Sequence, residues 1–398
     1  MLKRIESRFK IFFTALLRFL LRSNPAALPS PESIKNILLI RQHNQLGDML
    51  CVVPLLRALR AKYPSAILTL MASPLNYDLM LHNRYIDRVI KYDKKEFLGR
   101  FWIRPGPLLR FIRELRAERF DLVLVPSTVS ISFTSNLLAY LSGASVRIGP
   151  GSIDGAKNGS RFLFNLPVEL DWRNDPHRHQ TLRNLDIATP LRLDLGDVTC
   201  EVTLLGEELE RGRACVNQAE SIERRDEGVV VAFHPGAGKV PNQWPASRFA
   251  EVANSLAKEF GAHLLITSGP MDRQPVSEMT TALNVPYSVI DRRPIREIAA
   301  ILAHVDLVIS NDTGIMHVGA AVGTPVLSLF GPTDSRQWSP VGNKHRSVQA
   351  KDGLITSITV DEVLSVARDM LGELTKLIPP TPFSLRERRG SKGDEFST

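Results

Sequence analysis

Three short segments carry side chains able to do chemistry. The first is Gln42–Asp48, QHNQLGD, between a short apolar run and a helical pattern. Gly47 there permits a tight turn, and Asp48 falls at a helix start, where a carboxylate is favoured as a cap or first-turn charge. The same carboxylate set over a cleft is a proton acceptor for an attacking hydroxyl. Residue type alone leaves both roles open. The second segment is His234–Gly238, HPGAG, comprising His234, Pro235, Gly236, Ala237 and Gly238. Such a loop can turn backbone N–H groups toward a phosphate, or be a plain tight turn between strand and helix. It is not a Walker A loop, because Phe233 stands where glycine is needed and Val240 where Ser or Thr is needed. It is not a dinucleotide fingerprint either, because the third glycine position holds Pro241.

The third segment is the most specific: Ser310–Gly323, SNDTGIMHVGAAVG, running into TPVLSLFGPTD. Thr313 and Gly314 open a helix that carries His317 and the small residues Gly319, Ala320 and Ala321. Free amides and a hydroxyl at a helix N-terminus make a diphosphate site, and small residues let backbones approach closely. Asp312 is an acid at this proposed anion site, able to cap the helix or to accept from a sugar hydroxyl. No D-x-D occurs in the chain, so the acidic metal-binding pair of many sugar transferases is missing. A leaving diphosphate would then be neutralised by helix dipoles, hydroxyls and basic side chains.

These segments are positioned by a repeating strand–helix alternation. Apolar runs at Asn36–Arg41, Ile67–Met71, Asp121–Pro126 and Val146–Gly149 read as buried parallel strands, with a helix over about Met49–Tyr63. Residues 151–227 lose the rhythm and include a His-rich piece, DWRNDPHRHQTL. The alternation restarts with strands at Gly228–Phe233, His263–Ser268, Ser288–Ile290, Asp306–Ser310 and, last, Val326–Phe330. Helices fall over Ala246–Phe260, Asp272–Leu283, Pro294–Ala303 and Ile315–Val322. The pattern predicts an α/β protein of two Rossmann-like, doubly wound domains facing a central cleft. The expected divisions are a basic amphipathic helix at 1–23, a linker at 24–35, one domain at 36–185, an interdomain linker region at 186–227, a second domain at 228–373 and a disordered tail at 374–398.

At 398 residues, 43% hydrophobic and 23% charged, the chain can bury real cores. A net charge of +8 suits an anionic ligand or surface, and no basic patch interleaved with aromatics argues for nucleic acid. Cys51, Cys200 and Cys215 form no C-x-x-C pair, which disfavours zinc and fits a reducing cytoplasm. Ile5, Phe9, Phe12, Leu16 and Phe19 share one helical face, opposite Lys3, Arg4, Lys10, Arg18 and Arg22. A helix of that kind in residues 1–22 suits an anionic membrane surface, or packs on the protein itself.

Three stretches resemble glycosyltransferase family 9, the lipopolysaccharide heptosyltransferases: NILLIRQHNQLGDMLCVVPLLRALRAKYPSA, VVVAFHPGAGKVPNQWPASRFAEVANSL and DLVISNDTGIMHVGAAVGTPVLSLFGPTD. The resemblance implies a GT-B fold and metal-independent, inverting transfer with no cofactor. It implies a nucleotide-sugar donor of the ADP-heptose type and a glycolipid acceptor, at the inner face of the bacterial cytoplasmic membrane. It makes Asp48 the general base, with Gln45 and Gly47 in the acceptor-side loop. It assigns His234, Pro235, Gly236, Gly238, Lys239, Trp244, Asp312, Thr313, Gly314 and His317 to the donor. One departure stands out: many members carry a lysine two residues before the tryptophan, where this chain has Asn242. Lys239 is the nearby replacement. Other readings are a GT-B transferase for another nucleotide sugar and surface polysaccharide, and a non-catalytic nucleotide-sugar-binding protein.

Overall fold

The structure, a computed structural model, describes residues 21, 23–97, 104–218 and 228–377. The amphipathic stretch 1–22 lies outside the described residues, apart from Leu21. The first sheet is built on β1 (Asn36–Arg41), β2 (Ile67–Ala72), β3 (Arg88–Lys91), β4 (Leu122–Leu124) and β5 (Val146–Ile153), ordered β3-β2-β1-β4-β5. A short β6 (Ala156–Lys157) folds back antiparallel on β5, and β7 (Leu166–Leu170) adds a parallel strand beside β5. The second sheet runs β10-β9-β8-β11-β12-β13, all parallel, over Tyr287–Asp291, His263–Ser268, Val230–His234, Leu307–Asn311, Val326–Phe330 and Arg346–Gln349. Both sheets thus reverse strand order beside their first strand, which opens a crevice at the C-terminal strand ends.

Continuous apolar runs make these central strands because both faces are covered: five of six residues of β1 and all of β8, β11 and β12 are buried. One apolar cluster joins Leu39, Leu55 and Leu70 of the first half to Val308, Val318 and Val326 of the second, so the core runs through the interface. Two further clusters fill the outer faces.

Several boundaries differ from the sequence expectation. The helix expected over Met49–Tyr63 is two pieces, Leu46–Leu50 and Val53–Lys62, and the break puts Asp48 in a short helix of its own. The last strand is β13, whose register against β12 was missed because Arg346–Gln349 is an exposed edge strand without an apolar run. The region 186–227 is not plain linker: helix Gly206–Gln218 packs on helix Ile295–Leu302, with Gly212 against the backbone of Ala300. The 24–35 segment is pinned by Ala26 N–H to Asn165 O at 3.2 Å, and Ser23 just before it accepts from Arg147 through its hydroxyl. The C-terminal helix Val360–Leu377 extends past the expected tail boundary at 374. No described helix is long and apolar enough to cross a membrane.

The halves are joined on both rims of the cleft. On one rim Arg296, 9% exposed, pairs with Glu208 and donates to the carbonyls of Leu81 and Thr203. On the other, the His-rich segment meets the loop after β12. His177 Nδ1 lies 2.5 Å from Asp334 Oδ2, His179 Nε2 bonds Ser339 O at 2.8 Å, and Gln337 donates to Pro176 O at 2.7 Å. Between the rims, helix Leu46–Leu50 crosses helix Gly314–Ala321.

Candidate active site

At the C-terminal end of β1, Arg41 reaches across the switch point. Its Nη1 donates to Pro126 O after β4, and its Nη2 meets Asp48 Oδ1 at 2.6 Å. Arg41 is 4% and Asp48 17% exposed, so the pair sits in a low dielectric with the carboxylate turned to the cleft. The intervening loop is held by Gln42 donating to Ser132 and Ser135, and by Asn76 donating to His43 O at 2.6 Å. Gln45 occupies the N-cap position without a side-chain cap. Gly47 is there for a reason other than a tight turn. It is helical, and a Cβ on it would stand 2.5 Å from His317 Cδ2. Gly314 plays the reciprocal part, since its Cβ would meet Leu46 at 2.8 Å. The two glycines bring the two helices together, and with them Asp48 and the N-terminus of Gly314–Ala321.

The second half repeats the device. Asn311, fully buried at the end of β11, donates to the carbonyls of Pro235 and Gly236 and accepts from Trp244 N–H at 3.0 Å. It fixes the HPGAG loop from the neighbouring strand. Pro235 and Gly236 are consequently buried supports, and only Ala237, Gly238 and Lys239 turn outward. His234 is buried between Thr267 Oγ1 at 3.0 Å and Asp272, and burial lowers its pKa, so it is neutral near pH 7. Trp244 is a correction to the donor assignment. It is 0% exposed, donates to Ile358 O at 3.0 Å and packs edge-on against Phe249, so it belongs to the core.

Asp312 does not cap the helix, since Thr313 holds that position. Its Oδ2 accepts from Asn242 Nδ2 at 3.0 Å, and the same amide reaches Thr333 Oγ1 at 3.1 Å. The residue that departs from the family pattern is therefore tied to the acid of the SNDTG segment. Burial raises the pKa of Asp312, with the Thr333 hydrogen bond and the charge of Lys239 opposing. His317 is 5% exposed, edge-on to Trp338, and burial pushes its pKa down to about 3, so it is a neutral hydrogen-bonding group.

These parts converge on one cavity of about 740 Å³. Its walls carry Asp48 and Arg183 from the first half and Lys239, Asp312, Thr313 and His317 from the second. Beyond Leu46 and Thr313 lies a more apolar cavity of about 520 Å³, lined by Leu75, His234, Asp272, Pro294 and Ile298. Among the described residues, no three His, Cys, Asp or Glu side chains cluster as metal ligands would. Sequence reasoning missed Arg41, Asn242 as a partner of Asp312, Asn311 and Arg183. The signal for the first and third was a polar residue closing an apolar strand run.

Two doubly wound domains with loops from both on a shared cleft make a GT-B fold. Solved structures with this fold include the family 9 glycosyl transferase from Veillonella parvula, at TM-score 0.75 and 22% identity, covering 88% of this chain and all of that one. Another is Escherichia coli heptosyltransferase WaaC with ADP, at TM-score 0.67 and 17% identity, covering 84% and 99%. The family model for glycosyltransferase family 9 (heptosyltransferase) matches residues 108–357, and the chain belongs to that family. It is 26% identical over 320 residues to lipopolysaccharide heptosyltransferase 2 of Salmonella typhimurium, covering 77% of this chain and 86% of that protein. It is 24% identical over 345 residues to lipopolysaccharide heptosyltransferase 3 of Escherichia coli, covering 84% and 96%.

Proposed function

We propose that the chain moves a heptose from an ADP-heptose-type donor to a glycolipid of the lipopolysaccharide core, by inverting, metal-independent transfer with Asp48 as general base. The observation that carries this is the single cavity with Asp48 on one wall and the Lys239, Thr313 and Gly314 cluster on the other. The donor diphosphate lies against the N-terminus of helix Gly314–Ala321 and the Gly238–Lys239 loop, where amide dipoles and the ammonium offset the charge that develops on departure. His317 and the Thr313 hydroxyl supply neutral hydrogen bonds, and Asp312 accepts from a sugar hydroxyl. Arg41 holds one oxygen of Asp48, which orients the other toward the acceptor hydroxyl on the face opposite the leaving group. That geometry inverts the anomeric centre.

The test is a panel of nucleotide sugars against the purified protein, read by thermal stabilisation and by product formation on a truncated lipopolysaccharide acceptor. ADP-heptose stabilises the fold and yields product. Stabilisation by a UDP- or GDP-sugar alone overturns the donor assignment, and donor binding without turnover supports a binding protein instead. The basic amphipathic pattern of residues 1–22 fits an anionic membrane surface and supports a peripheral position on the cytoplasmic membrane. Loss of sedimentation with anionic liposomes on deleting residues 1–30, with turnover on a soluble acceptor retained, is the matching result; unchanged sedimentation refutes it.

A further inference from the structure

The first-half wall of the cavity holds a buried cation with no carboxylate in ion-pair contact. Among the described residues three arginines are at least nine-tenths buried: Arg41, Arg183 and Arg296. Arg41 is paired with Asp48, and Arg296 with Glu208. Arg183, 8% exposed, has no carboxylate within the 4.0 Å that defines an ion pair. Its guanidinium lies 4.6 Å over the ring of Trp172. Its Nε donates to Arg178 O at 3.0 Å and its Nη2 to Pro176 O at 2.8 Å. Nη1 carries no hydrogen bond among the described residues, and the side chain lines the cavity. Burial works against the charge on this group, as does the nearby Arg178, while Asp154, Asp175 and Asp186 favour it from beyond ion-pair range.

Two neighbours on the same wall are also unsatisfied. Gln180 Oε1 and Thr128 Oγ1 belong to side chains 1% and 2% exposed, both line the cavity, and neither atom has a partner. Asp154 lines the wall too, with one oxygen taken by Trp172 N–H at 2.7 Å. A guanidinium whose carboxylates, Asp154, Asp175 and Asp186, stand beyond ion-pair contact, on a wall with two orphaned polar atoms, gains from a ligand that supplies a direct anion and the missing hydrogen-bond partners. The guanidinium is already fixed by the ring and two carbonyls, so little side-chain freedom is lost on binding.

Resting on the transferase reading, we infer that Arg183 is the acceptor anchor. With the Thr128 hydroxyl as a further donor on the same wall, it binds an anionic substituent, a phosphate or a carboxylate, on the glycan whose hydroxyl faces Asp48, while Gln180 Oε1 accepts from a hydroxyl of the same glycan. The donor diphosphate is held from the other wall, by the second half.

The experiment is calorimetric titration with a deacylated lipopolysaccharide core oligosaccharide in three forms: as isolated, after phosphatase treatment, and after chemical reduction of its carboxylates. The unaltered protein binds the isolated form, and removing one of the two kinds of anion weakens binding roughly ten- to hundredfold, the scale of one charge-assisted hydrogen bond. That arm identifies the anion. Arg183→Gln weakens the isolated form by the same factor and leaves affinity for the neutralised form unchanged, while Arg183→Lys recovers part of the loss. ADP-heptose affinity is the same in all three proteins. Equal weakening of every oligosaccharide form by Arg183→Gln means a purely structural role and overturns the inference. A loss of ADP-heptose affinity, or no discrimination among the forms by the unaltered protein, overturns it as well. Absence of turnover sinks the transferase reading and leaves these binding comparisons to decide the anchor on their own.

Discussion

Replacing Asp48 by Asn separates the ion pair that this carboxylate makes from the proton transfer proposed for it. The side chain keeps its size and an oxygen for Arg41 Nη2, now 2.6 Å away, but loses its charge and its ability to take a proton. Loss of a general base costs about 10²–10⁴ in turnover. Arg41, only 4% exposed, is left as an uncompensated buried charge. Breaking a buried pair from one side costs roughly 3–5 kcal/mol, and the 17% exposure of Asp48 with the retained amide oxygen sets the expectation at the lower end. At about 2–4 °C per kcal/mol for a domain of this size, the melting temperature falls by roughly 6–12 °C. The double variant Arg41→Met, Asp48→Asn removes both charges, so it recovers most of the melting temperature and none of the turnover. Single-turnover product formation from ADP-heptose and calorimetric melting are the two assays. Turnover by Asp48→Asn within tenfold of the unaltered enzyme refutes the base assignment. A double variant that stays as unstable as the single one refutes the ion-pair account of the stability loss.

Gly47→Ala drives a methyl into the His317 ring, 2.5 Å from Cδ2, and overpacking of this kind costs about 1–3 kcal/mol; an unchanged denaturation midpoint contradicts the close-approach reading. Asn242→Lys puts an ammonium beside Asp312 and the Gly314 helix terminus, so donor affinity by calorimetry should rise several-fold; a fall shows that the Asn242 bracket to Asp312 and Thr333 matters more than the charge. His317, with its folded pKa lowered to about 3, favours the folded state fully above the unfolded value near 6.5, and that contribution is lost as pH falls from about 6.5 toward 3. His317→Gln should therefore flatten the acid side of the stability–pH curve by about 1.4 kcal/mol per pH unit, measured by urea denaturation between pH 4 and 6; a parallel curve refutes the assignment.

The sheets were legible because their strands are continuous apolar runs, and β1, β8, β11 and β12 fall where NILLIR, GVVVAF, DLVIS and VLSLF stand. β3 and β13 were not, because edge strands half-open to solvent need no such run. The three loops were found by their glycines, yet the reason for two of the glycines was hidden. Gly47 and Gly314 answer to side chains more than 250 positions away, His317 and Leu46, and no local pattern contains that. Trp244 shows the opposite failure: a motif position was assigned to the ligand, while its ring fills the core of the donor half. The ion pair of Asp48 was out of reach because Arg41 reads as the polar end of a strand until the turn brings it back.

The joints that bind the halves at the two rims differ in what it takes to part them. Arg296 keeps Glu208 when the halves part, because their helices pack together, but it gives up its buried hydrogen bond to Leu81 O, whereas His177 and Asp334, 47% and 23% exposed, exchange each other for solvent at little cost. Separation of the halves is then expected to swing about the Arg296 side, like a cover turning on its spine. The widest gap is then expected beside Gln337 and Trp338, which line the cavity. Paired spin labels placed across each rim will register the asymmetry as a distance that spreads on one side and holds on the other.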